Sequence, residues 1–200
     1  MRIGVLAAGM SKRMRGANKL HEKLAGKTIL ELSVENALSY SDSVTVITGH
    51  ERERTEEILS RYPVRVIYNP CYEDGQETSL RLLLSETCGD IIVTLADMPF
   101  LTPEDFALAE EKLKGYFSAR PFYENTAGHP VAISGELIKL LPGENRRIRD
   151  LMKELPHCFY EGRQENIMDI DTPDVLERIR EIKSETPPRR SPEWGLSVRR

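Results

Sequence analysis

Short apolar runs separated by amphipathic stretches make up the first half of the chain. Residues 2–7 (RIGVLA) and 91–96 (IIVTLA) are almost wholly apolar, which is typical of strands buried in a parallel sheet. Residues 44–48 (VTVIT) and 64–69 (VRVIYN) form two further predicted strands. The stretches between the strands have helical spacing, at residues 29–38, 51–61 and 78–85. These repeated strand–helix units predict a right-handed, largely parallel α/β sheet.

The pattern is less regular in the second half. Thr102-Pro103, followed by two acidic residues, predicts a helix start, because threonine caps, proline suits the first helical position and acids favour the positive end of the helix. Further strands are predicted at residues 117–123, 129–133 and 166–170. Further helices are predicted at residues 135–141, 146–155 and after Thr172-Pro173. The sequence contains no internal repeat.

Length and composition favour one domain. The chain has 200 residues, of which 40% are hydrophobic, and this is enough for one core and too few for two. We expect the domain to span residues 1–183. Residues 184–200 hold three prolines and four arginines and have little periodicity. They are predicted to be a flexible tail or a linker to a fused or partner domain, unless Trp194 docks on the body of the protein.

Charge and the length of the apolar runs exclude several classes of protein. A net charge of −4 and a pI near 5.7 give no extended basic surface, so no nucleic-acid partner is predicted. The apolar runs are strand-sized and the N-terminus has no secretory pattern, so we expect a cytoplasmic protein with no membrane partner. Cys71, Cys88 and Cys158 fit neither a disulfide framework nor a zinc knuckle and are predicted to be buried or incidental thiols. His21 and His50 are predicted to lie in surface loops.

The first predicted strand runs into a loop of small residues and cations. Ala8 and Gly9 leave the backbone uncovered, so that N–H groups can approach an anion. The cations that can supply the countercharge are Lys12, Arg13, Arg15 and Lys19. This segment is therefore either an anion-binding site or a solvated basic loop.

Acidic residues follow two other apolar segments. Asp97 ends the strand at residues 91–96 and precedes Met98-Pro99, a rigid exit that would hold its carboxylate over the rim of the sheet, where ligands of open parallel sheets bind. Asp169 and Asp171 would point to one side of an extended segment. Each of these residues could instead cap a helix or turn the chain. If they meet Asp97 in space, they would bind Mg²⁺, or Mn²⁺, through oxygen ligands and leave positions for the phosphates of a nucleoside triphosphate.

These segments resemble those of a known family. "LAAGMSKRM", with Lys19 downstream, resembles the opening loop of the molybdopterin-type nucleotidyltransferases, and "LADMPFLTPEDF" resembles their metal-binding segment. "NPCYEDGQETSLR", "GHPVAI", "GENRRIRDLM" and "MDIDTPDVLE" follow in the order seen in CTP:molybdopterin cytidylyltransferases and their relatives. The resemblance covers residues 1–183. It implies a single Rossmann-like three-layer α/β domain with a mostly parallel sheet that is mixed in the second half.

The resemblance also implies a reaction. A nucleoside monophosphate would move from a triphosphate to a small anionic acceptor, phosphorylated as molybdopterin is, with pyrophosphate leaving. Ala8 favours CTP, because the guanylyl-transferring branch typically has L-A-G-G at the start of its loop. Two alternatives stay open: transfer to a sugar phosphate or alcohol phosphate, and a non-catalytic module that binds or senses nucleotides.

In such a reaction the residues of the protein align the two substrates and neutralise their charge, and no protein nucleophile is needed. The predicted catalytic residues are Arg13, Lys19 and Asp97. The predicted nucleotide-binding residues are Leu6, Ala7, Ala8, Gly9, Met10, Ser11, Arg13, Lys19, Gly75, Thr78 and Ser79. The predicted metal ligands are Asp97, Asp171 and, less securely, Asp169, and the predicted acceptor-binding residues are His129, Arg146 and Arg147. With Arg149, the last two could form an anion patch at the phosphate of the acceptor. Thr78 could instead begin a helix, His129 could be structural, and the helix that carries these three arginines could be a solvated face.

Overall fold

The computed structural model describes residues 1–11, Met14 and residues 18–185. Three of the predicted loop cations, Lys12, Arg13 and Arg15, lie outside the described residues, as does the part of the predicted tail beyond residue 185. In chain order the strands β1 to β10 are Arg2–Ala7, Lys23–Leu24, Lys27–Thr28, Val44–Thr48, Arg65–Tyr68, Ile91–Leu95, Ser118–Tyr123, Thr126–Ala127, Val131–Ile133 and His157–Glu161. The helices α1 to α7 are Ile29–Leu38, Arg52–Leu59, Gln76–Ser85, Pro103–Leu113, Gly135–Leu140, Ile148–Glu154 and Pro173–Glu185.

The main sheet has the spatial order β10-β7-β9-β6-β1-β4-β5. Strand β1 pairs in parallel with β4 and β6, β4 pairs in parallel with β5, and β10 pairs in parallel with β7. Strand β9 is antiparallel to both of its neighbours, and β8 extends β7 as a hairpin. Strands β2 and β3 form a separate small hairpin. The prediction of a mostly parallel sheet that becomes mixed in the second half is confirmed.

Two apolar clusters cover the two faces of the sheet. Ile3 and Val5 of β1 pack with apolar residues of α1, α4 and α7, whereas Leu6 packs with apolar residues of α3, α5 and α6 on the other face. Successive side chains of a strand point to opposite faces, so one apolar strand contributes to both clusters. The described part of the chain is therefore a three-layer α/β domain, as predicted.

The helix starts follow the capping residues of the sequence. The backbone N–H of Thr102 donates to Asp105 Oδ2 (2.7 Å) at the start of α4, and the N–H of Glu31 donates to Thr28 Oγ1 (3.2 Å) at the start of α1. Ser134 caps α5 in the same way, accepting from the N–H of Leu137. These side chains pair backbone N–H groups that a helix start otherwise leaves open.

Several local predictions are wrong. The strand expected at residues 166–170 is absent; a 3₁₀ turn, Gln164–Asn166, is followed by irregular chain. The last strand is instead β10, which lies earlier in the sequence. His21 is buried rather than in a surface loop, and its Nε2 lies 3.0 Å from Thr55 Oγ1.

The three cysteines are free, and Cys71 and Cys88 are exposed, which fits the incidental rather than the buried alternative of the prediction. None of the described helices combines the length and apolar character needed to cross a membrane.

Candidate active site

Three segments meet at the carboxyl edge of the sheet. Strands β1 and β6 are parallel neighbours, so the loops that follow them leave the same edge side by side, and the N–H of Ala96 donates to Leu6 O (3.0 Å). The segment before α7 joins them, because the N–H of Ile170 donates to Asp97 O (3.1 Å). Backbone pairing therefore brings residues from the start, middle and end of the chain to one place.

Three carboxylates converge there. Asp97, Asp169 and Asp171 each offer an oxygen, and these oxygens all lie within 4.8 Å of one another. The ammonium of Lys19 contacts the carboxylates of both Asp97 and Asp171. Asn18 positions this lysine, since its side chain caps the short 3₁₀ helix Lys19–His21 by accepting from the N–H of Leu20 (3.1 Å). The three predicted metal ligands and Lys19 thus form a single cluster, which contains two of the three predicted catalytic residues, Lys19 and Asp97.

The ionisation of this cluster reflects its burial and its crowded charges. Burial by itself would lower the pKa of the Lys19 ammonium, but the negative charge of Asp97 and the hydrogen bonds to Asp171 and Asp97 raise the pKa above its ordinary value. Burial and the like charges of Asp171 and Asp97 raise the pKa of the Asp169 carboxyl. The carboxylates therefore repel one another more than one lysine compensates.

The donor set fits a divalent cation. One oxygen of Asp97, Oδ1, is buried and has no hydrogen-bond partner among the described residues. When all three carboxylates are ionised, the cluster with Lys19 keeps two net negative charges. Carboxylate oxygens are the ligands that Mg²⁺ and Mn²⁺ prefer. The cluster therefore suits a hard divalent metal ion.

A cavity of about 560 Å³ opens above the cluster, and we call it the acidic cavity. The predicted nucleotide-binding residues that line it are Leu6, residues 8–11, Lys19, Gly75 and Ser79. Ala7 does not line it, because its side chain is buried in the core as part of β1. The acidic cavity therefore brings together most of the predicted nucleotide-binding residues that the structure describes.

Ala8 is packed tightly at the wall of the acidic cavity. A Cβ placed on Gly49, at the end of β4, would lie 2.7 Å from the Cβ of Ala8 and 2.6 Å from the Cβ of Tyr72. Gly49 has no side chain, so the loop after β1 can approach β4 this closely. Ala8 and Tyr72 both line the acidic cavity, so a side chain at Gly49 would displace two residues of its wall.

Thr78 stabilises the structure beside this cavity. The side-chain amide of Asn69 donates to Thr78 Oγ1 and to Ser79 Oγ, both at 2.9 Å. The hydroxyl of Thr78 lies within hydrogen-bond distance of Gly75 O (2.8 Å). Thr78 therefore holds the turn before α3, and it lines a second cavity rather than the acidic one.

That second cavity, of about 820 Å³, lies over one face of β6, β9, β7 and β10 and under α6. Its cations are Arg120, Arg147, Arg149 and Lys153, and its acids are Asp74 and Glu77. Glu77 is already paired with Arg81 (3.0 Å) and accepts from the N–H of Ile148 (2.9 Å). Because cations outnumber acids in its lining, we call this second cavity the basic cavity. It shares Leu6, Gly75 and Gln76 with the acidic cavity, so the two are adjacent.

The predicted acceptor residues are only partly gathered there. His129 and Arg147 line the basic cavity, but Arg146 does not. The guanidinium of Arg146 instead pairs with Glu144 (2.7 Å) and Glu154 (2.6 Å) on the surface. These two carboxylates neutralise its charge, and the prediction of an anion patch that includes Arg146 is revised accordingly.

His129 is held in a neutral form. Burial and the positive charge of Arg120 lower its pKa to about 4, against a smaller opposing effect of the contact with Val93 O. Its Nδ1 lies 3.4 Å from that carbonyl oxygen, which can only accept, so the proton lies on Nδ1. At neutral pH the imidazole therefore adds no charge to the basic cavity.

Asn166 connects the two cavities. Its side-chain amide donates to His129 O (2.9 Å) and to Asp105 Oδ1 (3.0 Å), and its backbone O accepts from the N–H of His129 (2.7 Å). Arg163 donates from Nε to the same Asp105 oxygen (3.0 Å). The segment that carries Asp169 and Asp171 is thus anchored to the loop that carries His129.

The sequence offers no indication of a role for Arg120, Lys153 or Phe159, whereas Arg149 belongs to the predicted anion patch for the phosphate of the acceptor. The strand at residues 117–123 was predicted, but alternation along a strand does not tell which face borders a cavity. The neighbours of β7 decide this, and they come from distant parts of the chain. One signal in the sequence could have indicated Arg120: an arginine in the middle of a predicted strand is unusual at a core position, and this favours a side chain that borders a cavity.

Comparison with known proteins gives a consistent result. The model of the MobA-like NTP transferase domain matches residues 3–158. The molybdenum cofactor cytidylyltransferase of Escherichia coli strain K12 is 30% identical over 190 residues, covering 89% of this chain and 96% of that protein.

Solved structures share the fold. A nucleotidyl transferase from Methanothermobacter superposes with a TM-score of 0.78 at 23% identity, over 90% of this chain and 96% of the other. Rv0371c of Mycobacterium tuberculosis H37Rv, in a complex with manganese, superposes with a TM-score of 0.72 at 20% identity, over 90% of this chain and 99% of the other.

Proposed function

Since the chain belongs to the MobA-like NTP transferase family and is a nucleotidyltransferase, we propose that it transfers CMP from CTP to molybdopterin or a closely similar phosphorylated acceptor. Pyrophosphate leaves in this reaction. The family match and the cytidylyltransferase relative support the reaction class, and the L-A-A-G start of the loop supports CTP.

The observation that carries the proposal is the adjacency of the acidic and basic cavities. A metal-bound triphosphate needs carboxylates for the metal and backbone N–H groups for the phosphates, and the acidic cavity offers both. An anionic acceptor needs cations, and the basic cavity offers them. The shared wall at Leu6, Gly75 and Gln76 would be where the two substrates meet.

In this proposal the chain acts by alignment and charge neutralisation. Backbone N–H groups of residues 8–11 and the guanidinium of Arg13 hold the triphosphate, and Lys19 neutralises charge on its α- or β-phosphate. Asp97, Asp171 and Asp169 would hold Mg²⁺, or Mn²⁺, and the bound ion would stabilise the negative charge that develops on the phosphates. The manganese complex of a structural neighbour is in keeping with a divalent ion.

The acceptor phosphate supplies the nucleophile. Its second ionisation has a pKa of about 6, so it is largely dianionic at neutral pH and needs no protein base. One of its oxygens forms a bond to the α-phosphorus of CTP while the bond from that phosphorus to the bridging β-phosphate oxygen breaks. The electron pair leaves with pyrophosphate. His129 is neutral at this pH and has its proton on Nδ1, so its Nε2 would accept, rather than donate, a hydrogen bond from the acceptor molecule.

The proposal is tested by pyrophosphate release with CTP, GTP, ATP or UTP and Mg²⁺, in the presence and absence of molybdopterin. We expect release with CTP that requires both the metal and molybdopterin. Arms with 2-C-methylerythritol 4-phosphate and with inositol phosphate test the alcohol-phosphate alternative. Turnover of CTP with one of these and none with molybdopterin would replace the acceptor, and binding of CTP without turnover of any acceptor would contradict the transfer.

Two further predictions concern the bounds of the domain and the cellular location of the protein. We propose that residues 1–183 form the transferase domain and that residues 184–200 are a tail or linker. The cytoplasmic location stays a prediction from the sequence.

A further inference from the structure

The main sheet ends at β10, which has a strand neighbour on one side only. Strand β7 pairs with its inner side, and no strand in the part of the chain that the structure describes pairs with its outer side. The N–H of Gly162 donates to Phe122 O (3.0 Å), and the backbone groups of a strand point alternately to its two sides. The N–H and C=O groups of His157, Phe159 and Glu161 therefore point outwards, where another strand can pair with them.

The two edges of the sheet differ in their side chains. Proteins commonly protect an exposed strand edge with charged residues, proline or a covering segment. At the β5 edge, Arg65 pairs with Glu86 (2.6 Å), and the guanidinium of Arg52 lies over the ring of Tyr68, 4.6 Å from its centroid. Strand β10 has the sequence HCFYE, with neither lysine nor proline. Charged side chains thus occupy the β5 edge, whereas the β10 edge is open to pairing.

Two exposed aromatic rings lie together at the β10 edge. Phe159 is 48% exposed, and Phe122 of β7 is 39% exposed. Their ring centroids are 5.3 Å apart, and the ring of His157 packs edge-on against Phe159, with centroids 4.9 Å apart. Phe122 stands opposite Glu161 in the register, so both phenylalanines lie on the same face of the sheet. An apolar cluster beside an open strand edge is typical of a surface that binds another protein.

The sequence of β10 is complementary to itself. When a second copy of β10 is placed antiparallel about Phe159, the two Phe159 residues stand opposite each other, and His157 of each copy stands opposite Glu161 of the other. All three residues have outward backbone groups, so each pair can form hydrogen bonds between the two backbones. An imidazole then faces a carboxylate twice, and no like charges are directly opposed. A parallel arrangement would instead place each Glu161 beside its counterpart.

We propose that the chain forms a two-fold symmetric dimer in which the β10 strands of two copies pair antiparallel about Phe159. The two main sheets then continue as one sheet, and the exposed ring of each Phe159 is covered by its counterpart. Because Phe159 also lines the basic cavity, the basic cavities of the two copies open on the same face of the joined sheet. The dimer depends on neither the nucleotide nor the acceptor that the protein binds.

Sedimentation velocity tests the dimer. Across protein concentrations of about 1 to 300 µM, we expect the wild type to shift from monomer to dimer. Phe159→Lys places two positive charges opposite each other at the centre of the paired strands and should weaken the dimer about 100-fold. The matched control is Leu140→Lys, which introduces the same charge at an apolar residue that is 50% exposed on α5 rather than on the sheet edge. This variant should dimerise as the wild type does.

Charge reversal tests the antiparallel register. His157→Glu places a carboxylate opposite Glu161 at both ends of the paired segment and should weaken the dimer about 10-fold. Adding Glu161→Lys to this variant restores a pair of opposite charges at each end and should recover the dimer. Recovery of this kind requires that residues 157 and 161 of different copies face each other, which a parallel or unrelated interface does not provide.

Disulfide formation gives a second measure of the register. Directly opposite residues of antiparallel strands have Cα atoms about 5.5 Å apart, a separation that a disulfide spans. Oxidation of Phe159→Cys should therefore link two copies through the introduced cysteines, as located by mass spectrometry of unreduced peptides. Cys158 stands opposite Tyr160 in this register, so the wild type should form no Cys158–Cys158 link. Leu140→Cys is the control for random collision.

Three results would overturn the dimer: a wild type that stays monomeric at the highest concentration, a dimer that persists in Phe159→Lys, or equal crosslinking of Phe159→Cys and Leu140→Cys. A dimer that His157→Glu leaves unchanged would overturn the antiparallel register. Circular dichroism checks the fold of each variant, and Phe159→Ala, with an expected loss of about 10-fold, replaces Phe159→Lys if that variant is unfolded. None of these readouts uses pyrophosphate release, so failure of the proposed function and failure of the dimer are distinguishable.

Discussion

The acidic and basic cavities share a wall but have opposite charge. Three carboxylates and one lysine converge in the acidic cavity. In the basic cavity four cations face two acids, of which Glu77 is engaged elsewhere. A nucleotidyl transfer joins two anions, which repel each other in water. The comparison suggests how the chain overcomes this repulsion: one anion would bind through a metal on carboxylates, and the other directly through arginines and a lysine.

The two cavities also differ in how they are built. The acidic cavity depends on loops that leave the parallel strands β1 and β6, and its carboxylates come from two of the three segments that meet there. The basic cavity lies on a sheet face in which β9 runs antiparallel to its neighbours. In the proposed function, the parallel half of the sheet would provide the nucleotide site, at the edge where open α/β sheets bind ligands, and the mixed half would provide a surface that can differ between acceptors.

The largest effect is expected at the acidic cavity. Asp97→Asn removes a charge from the metal cluster and an ion partner from Lys19. We expect the fold to persist and pyrophosphate release to fall on the order of 100- to 1000-fold, as when a group that stabilises charge in the transition state is lost. The matched control is Asp42→Asn, an exposed aspartate outside both cavities. Turnover close to wild type in Asp97→Asn would remove Asp97 from the site.

A second prediction concerns the protonation of His129 in the basic cavity. Its folded pKa is about 4, below the ordinary value of 6.5, so above pH 6.5 it is neutral in both the folded and the unfolded state and its stabilising contribution is complete. As the pH falls from 6.5 towards 4, the unfolded chain takes up a proton that the folded protein excludes. The free energy of unfolding should therefore fall by at most about 3 kcal/mol over this range.

Urea unfolding of the wild type and of His129→Gln at pH 7, 6, 5 and 4.5 measures this contribution. Glutamine does not titrate, so the difference between the two proteins isolates His129 from other groups. The stability difference should shrink as the pH falls. Parallel pH profiles would show that His129 ionises in the folded protein as it does in water.

Asn166 tests whether the two cavities depend on one anchor. Asn166→Ala removes the amide that donates to His129 O and Asp105 Oδ1, and we expect it to lower the free energy of unfolding by about 2 kcal/mol. Both substrates should be affected, with a higher KM for the triphosphate and for the acceptor. Gln164→Ala, an exposed side chain two residues away, is the control. A change in the KM of one substrate alone would show that the cavities are positioned independently.

The first half of the fold could be predicted because each element carries its own signal. The bounds of β1, α1 and β4 agree with the prediction residue for residue, since apolar periodicity and the Thr28–Glu31 cap define them locally. The segment at residues 166–170 has strand-like residues, but its backbone pairs elsewhere: Asn166 O accepts from His129 and the N–H of Ile170 donates to Asp97. Local pattern does not reveal such partners.

Some residues of the candidate site could likewise be predicted from local sequence, and others could not. The acidic residues could be singled out because each follows an apolar strand or flanks an apolar residue, and the resemblance of the motifs joined them. Arg120 and Phe159 become neighbours only because β10 pairs in parallel with β7, a contact between segments about 40 residues apart. Arg146 was predicted because it lies in a cationic motif, whereas its carboxylate partners, Glu144 and Glu154, can be recognised only in the folded chain.

The smallest effect is expected at the wall of the acidic cavity, where Ala8 is packed against Gly49. Ala8→Gly removes the methyl group that packs beside Gly49, from a residue that lines the cavity, and produces the L-A-G-G start of the guanylyl-transferring relatives. If CTP is the substrate, as proposed, we expect the loosened wall to admit a larger purine base. The preference for CTP over GTP, measured as the ratio of their kcat/KM values, should fall about 10-fold, because one methyl group in a substrate pocket contributes about 1–3 kcal/mol of discrimination. Ala127→Gly, at the rim of the basic cavity, provides the control, since it should leave the ratio unchanged. An unchanged ratio in Ala8→Gly would show that the base is selected elsewhere in the acidic cavity, and an equal fall in both kcat/KM values would show that Ala8 supports the phosphates rather than the choice of base.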